Sequence, residues 1–246
     1  MLKLAKGLKS CDLNHKSKDR DGKQAIDLEL DIHTNENDPS SLRPLIQAHN
    51  SNEETQLIYD GEMVWMEAKQ GANDCILLST TFNIVRGEKQ KKLYFPRPVK
   101  TEVEVEHWIQ DFRFSTDNAE PYACDFWASN VTAKGFTANA SGSKNAERLA
   151  VTWIVYKKGK RKVMSGTFST DDIEDRGEAE VQNSGRVEFP EGRFQGTPTV
   201  LVGLSQFDLA GGRDLRIGVR ASGVSNTGFT WHLGESARQS MAFANS

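Results

Sequence analysis

The chain has 246 residues, of which 37% are hydrophobic and 26% are charged, and its formal net charge is −3. This length accommodates one large domain or two to three small ones, and the polar balance favours a core divided into small pieces. Nucleic-acid binders usually carry a basic face, so the charge gives no support for that class. No stretch approaches the roughly 20 apolar residues of a membrane span.

The N-terminus lacks the apolar core of a secretory signal peptide, because lysines interrupt its apolar run at Lys3, Lys6 and Lys9. We therefore expect a protein that is cytoplasmic or that leaves the cell by a non-classical route. The cysteines are odd in number and far apart, which argues against a disulfide framework or a zinc site. The sequence predicts reduced thiols at Cys11, Cys75 and Cys124.

Residues 1–91 are polar and β-prone, and we assign them to no known module. Residues 26–32 alternate apolar and acidic side chains, the period of a strand with one solvated face. The Asp60-Gly61 pair tolerates the positive φ angles of a tight turn and predicts a hairpin between residues 56 and 65.

A first β-rich region covers residues 92–168. An alternating pattern covers residues 102–109, with Glu102, Glu104 and Glu106 between Val103, Val105, His107 and Ile109. Residues 150–156 form a dense β run. A basic stretch with Gly159 follows, which predicts a hairpin whose tip is at that glycine. Residues 169–183 are acidic and polar, as in a linker, and a second β-rich region covers residues 184–246.

The two regions repeat each other. Leu93-Tyr-Phe-Pro matches Val187-Glu-Phe-Pro, and Val131-x-x-x-Gly-Phe136 matches Val224-x-x-x-Gly-Phe229 without a gap. Self-similarity at a fixed spacing indicates one structural unit used twice. In the shared pattern a strand ends near Val, the turn requires positive φ at Gly, and Phe returns to the core.

The pieces of the second region occur in a characteristic order: Phe189-Pro190, residues 197–208 (TPTVLVGLSQFD), Leu215-Arg216-Ile217 and residues 224–229 (VSNTGF). In order and spacing this region resembles the H-type lectin domain, and residues 92–168 resemble a diverged copy. The resemblance implies an all-β fold of tandem antiparallel β-sandwiches, six strands in each, preceded by the unassigned β-rich N-terminal region.

The resemblance also implies function: metal-independent binding of glycans ending in galactose or N-acetylgalactosamine, no cofactor, and a homo-trimer or higher oligomer with sugar sites between protomers. In that family an arginine of the Leu-Arg-Ile strand hydrogen-bonds the sugar, which corresponds to Arg216. A tryptophan-rich turn supplies an apolar wall, for which Trp231 and His232 are the candidates here. An upstream acidic residue corresponds to Asp175 or Glu178.

Several positions depart from the family pattern. In a gapless alignment the family's tryptophan falls on Ser236, and the first copy has Ala123 in the place of Arg216. The second copy also ends early, which predicts an open sheet edge and a lower stability than that of the first copy. An alternative is therefore a structural or protein-interaction module that keeps the fold and has lost the sugar site.

Catalytic motifs are missing from the sequence. It contains no nucleophile elbow, phosphate-binding loop, zinc-protease helix or paired-cysteine motif, and its five histidines are scattered. We therefore expect a protein that is not an enzyme, with no catalytic and no metal-binding residues.

Overall fold

In this computed structural model the described residues are 2–13, 25–35, 38–48, 58–69, 75–116, 120–160, 163–169, 182–212, 214–234 and 237–244. They form strands and no helix, so the all-β class is confirmed, and they contain no helical segment long and apolar enough to cross a membrane. The strands in chain order are β1 (Leu2–Leu13), β2 (Ala25–Asn35), β3 (Asp38–Ala48), β4 (Ile58–Lys69), β5 (Cys75–Asn83), β6 (Gln90–Tyr94), β7 (Val103–Ser115), β8 (Tyr122–Thr132), β9 (Gly135–Gly142), β10 (Ala146–Lys157), β11 (Ser165–Phe168), β12 (Gln182–Glu188), β13 (Thr199–Leu209), β14 (Leu215–Ser225), β15 (Gly228–Gly234) and β16 (Ala237–Ala244).

The strands form three antiparallel sheets. Sheet I has the order β12-β15-β14-β1-β4, sheet II has β3-β2-β7-β10-β5, and sheet III has β11-β16-β13-β8-β9-β6. Each sheet combines strands that are distant in the sequence. In sheet III, β8 pairs with β13, and in sheet I, β14 pairs with β1. Sheets I and III therefore combine strands from both sides of the linker that the sequence predicts between residues 169 and 183.

Two predicted hairpins are wrong. β4 continues through Gly61, which pairs with Cys11 of β1, so no turn occurs at Asp60-Gly61. Gly159 does lie in a turn with φ of 69°, but β10 belongs to sheet II and β11 belongs to sheet III. The two strands flanking that turn diverge into different sheets, because each finds its partner in a remote part of the chain.

The last strand does not leave an open edge, contrary to the expectation from the early end of the second copy. β16 pairs with β13 on one side and with β11 on the other. Its backbone groups therefore have partners on both sides, which removes the physical reason given for a weakened C-terminal region. The relative stability of the two regions stays a prediction.

The core lies where the sheets meet and is rich in aromatic rings. The Phe112 ring packs against Phe207 at a centroid distance of 5.5 Å, and the Phe114 ring packs against Tyr122 at 5.7 Å. These contacts join sheets II and III. Full burial of each such side chain contributes about 1.5–3 kcal/mol. Every residue of β10 from 149 to 156 is buried, as expected for a strand covered on both faces.

The Gly-Phe turns predicted from the sequence have the expected geometry. Gly135 and Gly228 have φ of 153° and 155°. A Cβ on Gly135 would lie 2.0 Å from the carbonyl oxygen of Leu93, and one on Gly228 would lie 2.2 Å from that of Val187. Only glycine permits this approach. The phenylalanine after each glycine is buried.

Candidate functional site

Arg216 lies on the outer face of sheet I, where β14 pairs with β1. Its register partner is Asp12, and its Nε donates a hydrogen bond to Asp12 Oδ1 at 3.1 Å. The Arg216 side chain is 56% exposed and that of Asp12 is 26% exposed. An ion pair this exposed contributes less than about 1 kcal/mol to stability. The guanidinium therefore remains accessible to a ligand at low cost.

The same face continues along β14 toward β15. Side chains alternate between the two faces of a strand, so Arg216, Gly218 and Arg220 share one face. Arg220 is exposed and pairs in register with His232 of β15. The His232 Nε2 atom lies 2.6 Å from the hydroxyl oxygen of Ser222.

His232 is a neutral hydrogen-bonding group at physiological pH. Partial burial lowers its pKa below the ordinary value, and the positive charge of Arg220 lowers that pKa further. A neutral imidazole has one donor and one acceptor nitrogen. With Ser222 bound to one nitrogen, the ring can offer the other to a hydroxyl group.

Two hollows share Arg220, and neither is lined by Arg216 or Asp12. The first has a volume of about 260 Å³ and is lined by Ser10 and Glu62 on one side and by Arg220 and His232 on the other. The second has a volume of about 370 Å³, shares Arg220 and includes Lys9 and the indole of Trp65. Lys9 and Glu62 form an ion pair between the hollows. Both hollows therefore combine residues of β1 and β4 with residues of the C-terminal region.

Trp231 lies on the opposite face of β15 from His232. Its side chain is 4% exposed, and its ring stacks on that of Phe168 at a centroid distance of 4.7 Å. A Cβ on Gly185 would lie 2.6 Å from the indole, which shows how closely it is enclosed. The structure thus brings Arg216 and His232 to one face, and it places Trp231 in the core.

The aromatic ring at the second hollow belongs to Trp65, which the sequence did not single out. Its side chain is 40% exposed. The sequence carried no signal of this orientation, because residues 63–66 (MVWM) are all apolar and show no alternation.

The remaining predicted site residues contribute no described contact. Asp175 and Glu178 lie in 170–181, outside the described residues. Ala123 of β8 pairs in register with Asp208 of β13, so this equivalent position has the acid without the arginine. Within the described part of the chain, no group of three or more His, Cys, Asp or Glu side chains is placed to hold a metal ion.

The cysteines take no part in the site. Cys11 and Cys124 are buried free thiols, Cys75 is half-buried, and none forms a disulfide. Burial raises the pKa of the Cys11 thiol and of the Cys124 thiol. Both are therefore protonated and act as small apolar core residues.

The C-terminal region that contributes to this face matches a known family of protein domains. Residues 184–244 match the family model of the H-type lectin domain. The match includes β14 and β15, and therefore Arg216, Arg220 and His232, and it covers about a quarter of the chain. No curated protein and no solved structure matches the chain. The lectin-like region suggests carbohydrate binding, and its family is non-catalytic.

Proposed function

We propose that the protein is a metal-independent lectin that binds glycans ending in galactose or N-acetylgalactosamine on the outer face of sheet I. The observation that carries this proposal is the exposed Arg216 side chain within the region that matches the H-type lectin domain. The resemblance stated from the sequence assigns sugar binding to the arginine at this position.

The chemistry of the face supports the recognition of hydroxyl groups. A guanidinium presents a planar fork of donors that spans two adjacent hydroxyls, and charge-assisted hydrogen bonds are stronger than neutral ones. The Asp12 carboxylate beside it accepts hydrogen bonds. Arg220, neutral His232 and Ser222 extend the same set of donors and acceptors along β14 and β15.

The hollows suit a small ligand with one apolar face. The volume of about 260 Å³ is below the roughly 300–1,000 Å³ of pockets for drug-sized ligands, which favours a single sugar ring. An aromatic face is electron-rich and packs well against the C–H groups of galactose-type sugars. We propose that Trp65, which lines the second hollow beside Arg220, supplies this face in place of buried Trp231.

A protein-interaction module is the second candidate. One observation favours it: Arg216 is already paired with Asp12, and a ligand has to compete with that carboxylate. Under this reading the charged face would contact a protein partner, and sugars would have no measurable affinity.

A glycan array with the folded full-length protein tests the proposal, with the Arg216→Ala variant alongside. We expect binding to terminal galactose or N-acetylgalactosamine that is lost in this variant. Arg186→Ala is the matched control, because Arg186 is an exposed arginine on β12 of the same sheet. Silence of the wild-type protein across the array, or binding unaffected by Arg216→Ala, would contradict the proposal.

A further inference from the structure

The three sheets repeat one strand order. We divide the described chain into an N-segment (β1–β5), an M-segment (β6–β11) and a C-segment (β12–β16). Sheet III joins β6, β9 and β8 of the M-segment to β13 and β16 of the C-segment. Sheet I joins β12, β15 and β14 of the C-segment to β1 and β4 of the N-segment. Sheet II joins β3 and β2 of the N-segment to β7 and β10 of the M-segment.

The order of segments is therefore cyclic, from N to M, from M to C and from C back to N. The edge strands of two sheets follow the same cyclic order, because each comes from the segment that precedes the segment of its neighbour. β5 of the N-segment completes sheet II beside β10, and β11 of the M-segment completes sheet III beside β16. Sheet III has six strands, and the other two have five. Among the described residues, sheet I has no counterpart of β11, and sheet II has none of β6.

The three places where segments meet, here called seams, share one register. The C–N seam pairs β14 with β1, the N–M seam pairs β2 with β7, and the M–C seam pairs β8 with β13. Successive residue pairs in one seam correspond to successive pairs in the other two. The equivalent central pairs are Ile217 with Cys11, Leu28 with Phe112, and Cys124 with Phe207.

A β-bulge recurs at the same place in all three segments. The pairing of β1 with β4 skips Lys9, that of β7 with β10 skips Gln110, and that of β13 with β16 skips Ser205. Around this bulge the first and last copies share the sequence Gly-Leu-x-x-x-Asp-Leu, at residues 7–13 and 203–209. Bulges at one site of one unit are structural features of that unit rather than accidents.

The residues two positions before the bulge meet at the centre of the molecule. They are Gly7, Trp108 and Gly203, which hold equivalent positions in the three segments. A Cβ on Gly7 would lie 2.7 Å from Trp108, and a Cβ on Gly203 would lie 2.8 Å from it. Trp108 is fully buried. The three equivalent positions therefore meet in one small space. The Trp108 indole occupies it because the other two residues are glycines.

We infer that the N-segment is a third copy of the lectin-like unit and that the three copies close into a ring within one chain. The candidate glycan-binding face is then composite and intramolecular: the C-segment supplies Arg216 and Arg220, and the N-segment supplies Asp12 beside Arg216 and Trp65 beside Arg220. The identity of the ligand rests on the proposed function above, whereas the ring does not. Because the chain provides its own neighbour at this seam, the site needs no second protomer.

A disulfide across the C–N seam tests closure of the ring in the full-length protein. A Cβ on Gly218 would lie 3.1 Å from the Cβ of Ser10, close to the roughly 3.5–4.5 Å of disulfides. Both residues are half-buried on the outer face, so the Ser10→Cys/Gly218→Cys variant leaves the core unchanged. We expect mild oxidation to leave a single-chain species of 27.4 kDa on non-reducing gels, in which mass spectrometry after alkylation finds both introduced thiols protected until a reductant is added.

Interchain disulfides that give multiples of this mass, or no disulfide in folded protein, would overturn the ring. The single variants Ser10→Cys and Gly218→Cys are the controls. If the double variant fails to fold, Ile217→Cys repeats the test with native Cys11, its register partner, and Cys11→Ser abolishes that bond. A closed ring without glycan binding on the array refutes the proposed function alone, so the two failures are distinguishable.

Discussion

The C–N seam and the N–M seam have a charged pair at the same register position, with the charges exchanged. In the C–N seam Arg216 of β14 faces Asp12 of β1, and in the N–M seam Asp27 of β2 faces Arg113 of β7. Arg216 is 56% exposed, whereas the Asp27 side chain is only 3% exposed. Equivalent positions in the two seams therefore carry a charged pair in very different environments, one exposed and one buried.

The buried pair belongs to a larger network of ion pairs, whereas the described residues give Arg216 and Asp12 only each other as ion-pair partners. Asp27 accepts a hydrogen bond from Arg148 at 2.8 Å and one from Arg113 at 3.4 Å. Arg148 also binds Asp111 at 3.0 Å, and Arg113 binds Glu147 at 2.6 Å. In the N–M seam these side chains satisfy one another and join β2, β7 and β10. This seam position can therefore either hold the fold together or face a ligand, according to how far its side chains are enclosed.

The largest expected effect is a loss of folding stability when the buried pair of the N–M seam is broken. Removing one member of a buried ion pair costs about 3–5 kcal/mol. The arginines around Asp27 are 23% and 34% exposed, which reduces the cost of leaving them unpaired. We expect Asp27→Asn to lower the free energy of unfolding by about 2–3 kcal/mol, measured by urea denaturation at pH 7.

Asp12→Asn is the matched control for that measurement, because Asp12 holds the opposite side of the same register position in the C–N seam. We expect it to cost less than about 1 kcal/mol. Equal effects of the two substitutions would mean that enclosure does not distinguish the seams.

The second prediction concerns the pH dependence of folding stability and the carboxyl group of Glu106 on β7. Burial raises the pKa of Glu106 to about 7, although the hydrogen bond from Ser165 at 2.5 Å opposes this shift. Because the folded pKa lies above the ordinary value of 4.5, the protonated form stabilises the fold at low pH. That stability is lost as the pH rises from about 4.5 through about 7. The equivalent position in β1 is the apolar Ala5, so the C–N seam lacks this titration.

We therefore expect Glu106→Gln to become more stable relative to the wild type as the pH rises from 5 to 8. Thermal denaturation across this range measures the difference. Glu188→Gln, which changes an exposed carboxylate on β12, should show no such trend. Parallel curves for wild type and Glu106→Gln would exclude Glu106 as a titrating group.

The sequence predicted several strands and turns correctly, although both predicted hairpins are wrong. The strands over 102–109 and 150–156 and the turns at Gly135 and Gly228 depend on side-chain alternation and on glycine conformation, both of which are visible in short windows. The seams are not visible there, since Asp12 and Arg216 are separated by 204 positions. The shared Gly-Leu-x-x-x-Asp-Leu pattern was a signal of the third copy, but it is short, and the rest of the N-segment differs.

The candidate site was predictable only in part. Arg216 follows from the family resemblance, and its exposure follows from alternation with apolar Leu215 and Ile217. The same alternation would have placed Trp231 in the core, because it shares a face with Phe229 and Leu233. Trp65 and Asp12 could not be assigned to the site, since they reach it through pairing between the two ends of the chain.

The smallest expected effect concerns the M–C seam, where Ala123 faces Asp208. Ala123→Arg would create there the pair that Arg216 forms with Asp12. We expect the free energy of unfolding to rise by no more than about 0.5 kcal/mol, because exposed ion pairs contribute little. Urea denaturation measures this change.

Glycan stoichiometry in Ala123→Arg, measured by titration calorimetry, should stay at one per chain. The M–C counterpart of His232 is Asn139, which is 1% exposed. Its amide nitrogen already donates hydrogen bonds to the carbonyl oxygens of Trp127 and Thr137 and to the hydroxyl of Ser129. With these donors occupied and enclosed, the seam offers an arginine without its neighbouring polar groups. A stoichiometry of two would instead mean that the arginine–aspartate pair alone is sufficient to bind the sugar, and that His232 and the hollow beside it are dispensable.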